Sequence, residues 1–260
     1  MKKVLIIVIT GLILFLSNVH GQVDDIKENA RKEKDHKRSS GTGDYSYDDG
    51  DESFGDELSD EMCGCFFDIF MFLAWEAIGS VQNAVMEQKS VYPYVSSLEA
   101  KVWGGISSDE ETFFISPGLQ GNWGIFSTDF RFTYLDDNTG TLNSLDWQIL
   151  KLNVPVKTFK ASAGVGFTSL TDLAVSYFEY TFGSELHIFR DKVVLSGEYR
   201  GTSENDNSEV FRREVNFQVD YLTNSFGRFH LSPMAGFRFQ EYHESIDYWM
   251  VNIGVAMRFY

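Results

Sequence analysis

The chain is poor in cysteine, proline and basic charge. Two cysteines in 260 residues exclude a disulfide-stapled scaffold. Four prolines exclude a collagen-like fibre, and 23 phenylalanines within a 43% hydrophobic composition exclude wholesale disorder. Lys and Arg number 22 against 38 Asp and Glu, so the formal charge is −16. Nothing in that balance neutralises phosphates, which argues against a nucleic-acid partner. Beyond the first 21 residues, no stretch approaches the roughly 20 apolar residues of a spanning helix. Strands also cross membranes, so a barrel stays open as an architecture. Catalytic signatures are missing too: there is no G-x-S-x-G, H-E-x-x-H or P-loop.

The chain opens with an address. Lys2 and Lys3 precede an apolar run from Val4 to Leu16, and Val19 and Gly21 suit a signal-peptidase site. Residues 1–21 therefore read as a secretory signal peptide, with Gln22 as the mature N-terminus. Residues 22–62 read as a disordered charged linker. Bases cluster in its first half (Lys27, Arg31, Lys32, Lys34, Lys37, Arg38), and nine acids with no base occupy 44–61. Such composition buries too little apolar surface to offset ordering entropy. The run DDGDES (48–53) resembles part of a calcium loop, but the EF-hand acid at position 12 is misplaced, so a solvated tether is the reading.

Residues 63–92 combine a Cys63-x-Cys65 pair with an amphipathic helix. Asp68, Glu76, Ser80, Asn83 and Glu87 share one helical face, opposite Phe70, Ala77, Ile78, Val81 and Val85. That helix suits a membrane surface, a lumen or a protein face. One C-x-C without further ligands does not make a metal site. In an oxidising periplasm, a local or intermolecular disulfide is the plain expectation for Cys63 and Cys65.

From residue 93 to 260 the apolar period becomes two, which is the mark of strands. Ten strands are expected, at roughly 94–106, 111–119, 124–135, 144–154, 157–168, 172–189, 192–202, 209–222, 228–240 and 246–260. The second and fourth are weakest, blunted by SPG (116–118) and VPV (154–156), and their loss would leave eight. Tight joints at 121–122, Pro155, 190–191 and 224–227 alternate with polar loops SSDEE (107–111), DDNTGT (136–141), TSENDNSE (202–209) and YHES (242–245). Alternation alone does not say which face is inside. Three features favour apolar outside. The strands are long enough for a tilted crossing of ~25 Å. Aromatic residues crowd their ends, including Tyr134, Phe159, Tyr221, Phe229, Trp249 and Phe259. The other face carries glycines and opposite charges: Asp129, Arg131, Glu198, Arg200, Arg212, Glu214, Arg238 and Arg258 form the expected lumen charge network.

With its signal peptide, even strand number and final strand ending IGVAMRFY, the chain resembles the small bacterial outer-membrane β-barrel proteins. The resemblance implies an all-β, antiparallel, up-and-down transmembrane barrel in the bacterial outer membrane, with lipid and the barrel-assembly machinery as partners. It implies that Val251, Ile253, Val255, Met257 and Phe259 form the strand read by that machinery, although Tyr260 shifts the parity of the last residue. It transfers no ligand and no catalytic residue.

Ser184, Glu185 and His187 supply the residue types of a lipid-hydrolase triad. Ser184 and His187 have opposite parity, so their side chains leave a strand on opposite faces. His230 and His243 have no evident partner for catalysis. The expectation is a non-enzymatic structural, binding or adhesion role, without a cofactor or metal. The alternatives are a membrane-embedded lipid-modifying enzyme, a narrow channel and a soluble periplasmic lipid-binding barrel.

Overall fold

The computed structural model describes residues 23–40, 79–87, 96–107, 112–156, 158–189, 192–203, 210–223, 225–226 and 228–260. The expected signal peptide, the acidic half of the linker and the pair Cys63 and Cys65 lie outside the described residues.

Strands follow one another as antiparallel neighbours: β1 (Ser96–Ser107), β2 (Phe113–Trp123), β3 (Phe126–Asp137), β4 (Gly140–Val156), β5 (Phe159–Leu170), β6 (Val175–Ile188), β7 (Val193–Thr202), β8 (Arg212–Tyr221), β10 (Phe229–Tyr242) and β11 (Ile246–Phe259). A two-residue β9 (Ser225–Phe226) only tightens the turn before β10. β11 pairs back onto β1, from Leu98↔Phe259 to Ser107↔Met250, and closes a ten-stranded barrel. Closure leaves no sheet edge unpaired, which is what lets strands cross a membrane. The eight-strand alternative is set aside, because both weak segments form strands.

Each weakness has a local explanation. In β2, pairing to β3 is interrupted at Ser116 and Pro117, between Ile115↔Tyr134 and Gly118↔Arg131. Proline has no N–H to give there. The Ser116 and Thr133 hydroxyls bond instead, 3.0 Å apart inside the barrel. In β4, VPV does not end the strand: Pro155 pairs with Lys160 and Val156 with Phe159. At the other end of β4 the run DDNTGT is not a loop. β3 continues to Asp137 and β4 begins at Gly140, leaving a two-residue turn. Asp137 Oδ1 accepts bonds from Thr139 N (2.8 Å), Thr139 Oγ1 (2.7 Å) and Gly140 N (2.9 Å), so the polar residues build the turn itself.

β1 starts and β11 ends at the same mouth, here called the turn end, together with the β2–β3, β4–β5, β6–β7 and β8–β10 joints. The opposite mouth is the loop end. There the structure corrects the expectation of disorder over 22–62: residues Val23–Ser40 form a helix, α1. Its charge hides an apolar stripe, because Val23, Ile26 and Ala30 share one face and are fully buried. Asp24 and Asp25 complement the helix dipole in the first turn, and Glu28 pairs with Lys32 one turn on at 2.7 Å. Val23 N donates to Asp137 Oδ2 at 3.0 Å, Lys34 Nζ to Leu173 O at 2.5 Å, and Lys27 pairs with Asp172 at 3.0 Å. Burial raises the Asp172 carboxyl, but bonds from Asn143 and Lys27 outweigh it and hold the group below the ordinary aspartate range.

The expected amphipathic helix is described over 79–87, where it is helical. It sits at the turn end. Gln82 accepts from Ile125 N (2.7 Å) and donates to Trp123 O (2.8 Å), clamping the β2–β3 turn. Gly124 there has φ +65°, a left-handed angle that favours glycine, and the Gln82 amide lies where a Cβ would stand.

Candidate functional site: the barrel interior and its outer wall

The strand alternation resolves into two chemically opposite walls. Outside, large apolar residues stand exposed on every long strand: Phe130 is 42% exposed, Phe217 59% and Ile253 71%. Phe237 also points outward and packs on Trp249, ring centres 5.1 Å apart. Aromatic residues mark both rims of this belt, with Trp123, Phe159, Tyr221, Phe229 and Phe259 at the turn end and Tyr134, Phe239 and Trp249 at the loop end. Inside, the buried residues are mostly polar or charged. A water-soluble barrel has the reverse arrangement.

The interior has three tiers. Nearest the loop end, Phe211 stacks on Tyr177 (4.1 Å, 3° between planes) and meets Tyr242 edge-on at 5.6 Å. Phe114, Leu135, Leu142, Leu170, Tyr248 and Met250 complete an apolar cluster with the buried face of α1. Polar groups at its margin are paired: Tyr177 OH donates to Glu33 at 2.9 Å.

Below the cluster lies the ionic tier. Arg131 donates to both oxygens of Glu214 (2.5 and 2.8 Å) and twice to Asp146 Oδ2 (2.7 and 2.8 Å). Arg212 reaches Asp146 Oδ1 at 2.9 Å and also bonds Glu179. Arg200 bonds Glu198 at 2.6 Å and Asp129, and approaches Glu179 at 3.5 Å. Lys151 caps the other oxygen of Glu198 at 2.6 Å. Gln240 adds a bond to Glu214 at 2.6 Å. Arg238 lies 3.8 Å from Glu214 and 4.8 Å above the Phe114 ring, joining the ionic tier to the apolar one. Forked guanidiniums suit this bridging, since each presents several donors in one plane.

The third tier opens at the turn end as a polar vestibule of about 70 Å³. Arg258 bonds Glu99 and Asp220, and Lys160 pairs with Glu185 at 2.5 Å. Among the described residues, the ionic tier and the vestibule together hold eight bases (Lys101, Arg131, Lys151, Lys160, Arg200, Arg212, Arg238, Arg258) and eight acids (Glu99, Asp129, Asp146, Glu179, Glu185, Glu198, Glu214, Asp220). Equal numbers matter, because each unpaired ion taken out of water would cost several kcal/mol.

Asp129, Arg131, Arg200, Arg212, Glu214, Arg238 and Arg258 are buried on the inner wall, and Glu198 beside them is more accessible. Asp129, Arg131, Glu198, Arg200, Arg212, Glu214 and Arg238 meet in the ionic tier, whereas Arg258 stands apart in the vestibule. Val251, Ile253, Val255, Met257 and Phe259 all face outward. Ser184 is exposed on the outer face and His187 is buried on the inner one. The main residues not anticipated are Asp146, Glu179 and Lys151. Glu179 was signalled by its place between Phe178 and Tyr180. Asp146 and Lys151 have opposite parity on β4, and a bulge at Ile149 reconciles them. The register passes from Gln148↔Gly166 to Leu150↔Val165, returning Lys151 to the lumen. Gly166 lies beneath the bulge, where a Cβ would overlap the Trp147 carbonyl at 2.0 Å.

Among solved structures, the chain is similar to the N-terminal β-barrel domain of Pseudomonas aeruginosa OprF, at 10% identity over 63% of this chain and 98% of that one, TM-score 0.31. It is also similar to the NanC porin (8% identity, 62% and 99% coverage, TM-score 0.37) and to Neisserial surface protein A (10% identity, 63% and 94% coverage, TM-score 0.28). No protein-family model and no curated protein matches the chain. The fold assignment rests on the strand pairing itself. Among the described residues there is no cluster of His, Cys, Asp and Glu that would hold a metal ion, and no helix long and apolar enough to cross a membrane.

Proposed function

We propose that this protein is a bacterial outer-membrane β-barrel that serves as a closed, non-enzymatic platform in the membrane, with a structural, binding or adhesion role. The observation that carries this reading is the inverted sidedness: an apolar outer belt around a lumen filled by paired charges. Soluble monomers rarely expose contiguous apolar patches beyond a few hundred Å². A belt on all ten strands is stable only where acyl chains cover it. The ionic tier spans the lumen with buried, mutually bonded side chains, which supports a plugged barrel over a diffusion pore. The separation of Ser184 and His187 onto opposite walls supports a non-enzymatic role. Secretion through the leader at 1–21 and recognition of β11 by the barrel-assembly machinery belong to the same proposal. The outward row from Val251 to Phe259 supports the latter.

The test is expression of the full chain in a Gram-negative host, followed by membrane fractionation and gel electrophoresis with and without boiling. The expected result is recovery in the outer-membrane fraction with faster migration before boiling. Solubility without detergent and a single boiled-like band would overturn the proposal.

A further inference from the structure

A groove of about 750 Å³ runs along the turn-end rim, between the 79–87 helix and the seam where β1 meets β11. Its lining is divided. Leu98, Trp123 and Phe259 come from the exposed apolar belt, and Met86 from the helix. On the polar side stand one cation, Arg228, and one carboxylate, Glu87, with Asn122 and Tyr260 beside them. Both charged residues are exposed, and among the described residues neither has a salt-bridge partner. The helix is fixed in place by the Gln82 clamp, so the groove is a defined feature of the rim.

Farther along the same seam a second hollow, apolar and about 700 Å³, opens between Val102–Ile106 of β1 and Val251–Val255 of β11. Gly104 makes it: the residue faces outward, and a Cβ there would find no atom nearer than the Phe114 carbonyl at 3.7 Å. Six residues separate Leu98 from Gly104, or about 20 Å along a strand. At a tilt of about 40° that is a depth of about 15 Å, half of a ~30 Å hydrocarbon core. The two hollows are therefore spaced as the headgroup and the chain end of one leaflet's lipid.

We propose that this seam seats a zwitterionic phosphoethanolamine lipid, with its phosphate on Arg228, its ammonium toward Glu87 and one acyl chain lying along Leu98, Val102 and Gly104. The one-plus, one-minus lining matches a phosphoethanolamine headgroup. A purely anionic headgroup would leave Glu87 facing a like charge. The proposal rests on the lipid-embedded reading above.

The experiment is native mass spectrometry of the full chain, reconstituted into nanodiscs of equimolar phosphatidylethanolamine and phosphatidylglycerol and then released into mild detergent. One retained phospholipid is expected, with ethanolamine favoured over glycerol by about threefold, the ratio that one solvent-exposed charge pair supplies. Glu87→Lys, on an exposed helix face, should reverse the preference. Arg228→Glu and Gly104→Phe should each abolish retention while leaving migration heat-modifiable. A heat-modifiable barrel that retains no phospholipid, or that retains both lipids equally before and after Glu87→Lys, overturns the seat and leaves the membrane reading standing. A chain that never becomes heat-modifiable in lipid overturns both.

Discussion

At the scale of residues, the barrel turns on which interior charges are bonded to one another. Arg131 holds Asp146 and Glu214 at once, and all three are buried. Removing it leaves Asp146 with Arg212 and Glu214 with Arg238 and Gln240, one buried cation short for the carboxylates around it. Arg131→Met is therefore expected to destabilise the barrel by about 3–5 kcal/mol. Arg213 makes similar contacts, to Glu241 at 3.1 Å and Glu244 at 2.7 Å, but is 39% exposed. Arg213→Met should cost less than about 1 kcal/mol, because solvent screens both ends of each pair. Urea unfolding in lipid vesicles, followed by tryptophan fluorescence, measures both. Equal costs would mean that burial does not set the worth of these pairs. Strand parity put Arg131 and Glu214 on the faces opposite the apolar ones. It did not announce that they touch, because they lie 83 positions apart and meet only across the closed lumen.

At the scale of elements, β4 and α1 show what pattern reading misses. β4 carries an extra residue at Ile149, opposite Thr128, whose hydroxyl bonds the Gln148 carbonyl at 2.8 Å. Without that residue, Gln148, Leu150 and Lys151 would still alternate in, out, in. Deleting Ile149 is expected to leave a folded barrel with heat-modifiable migration. Deleting Phe132 from β3, which has no such slack, reverses parity along half the strand and sends charges toward lipid. That variant should remain unfolded in lipid vesicles by circular dichroism. Matching behaviour of the two deletions would show that the bulge is not what absorbs the extra residue. α1 was hidden for a different reason. Its composition is that of a solvated tether, and three apolar positions on one face acquire meaning only when a barrel mouth lined by Leu135, Leu142 and Tyr177 is there to receive them.

At the scale of the whole molecule, the three tiers stack into a stopper. The aromatic cluster under α1 closes the loop end, the ionic tier crosses the middle, and the vestibule at the turn end holds only about 70 Å³. In planar lipid bilayers the purified protein is expected to produce no stable single-channel steps. Recurrent conductance steps that persist in the wild-type chain would refute a sealed interior. Such sealing is consistent with barrel size, since small barrels are filled by their own side chains. A rigid wall with a filled centre suits a role played at its surfaces.

The amino-acid order alone determined the period of two, the length of the strands, the composition of each face and the aromatic rims, because these follow from alternation along a single extended chain. Alternation alone left open which face was outside, since lipid and a protein core reward the same pattern; strand length, aromatic rims and the opposite charges favoured the apolar one. Closure of β11 onto β1 decided that: the ring has one interior, and the charges of the ionic tier and the vestibule occupy it. Tertiary structure alone also decided the partners of each charge, the parity of Lys151 beyond its bulge and the folding of α1. Each of these depends on groups far apart in the chain that only a closed barrel brings within bonding distance.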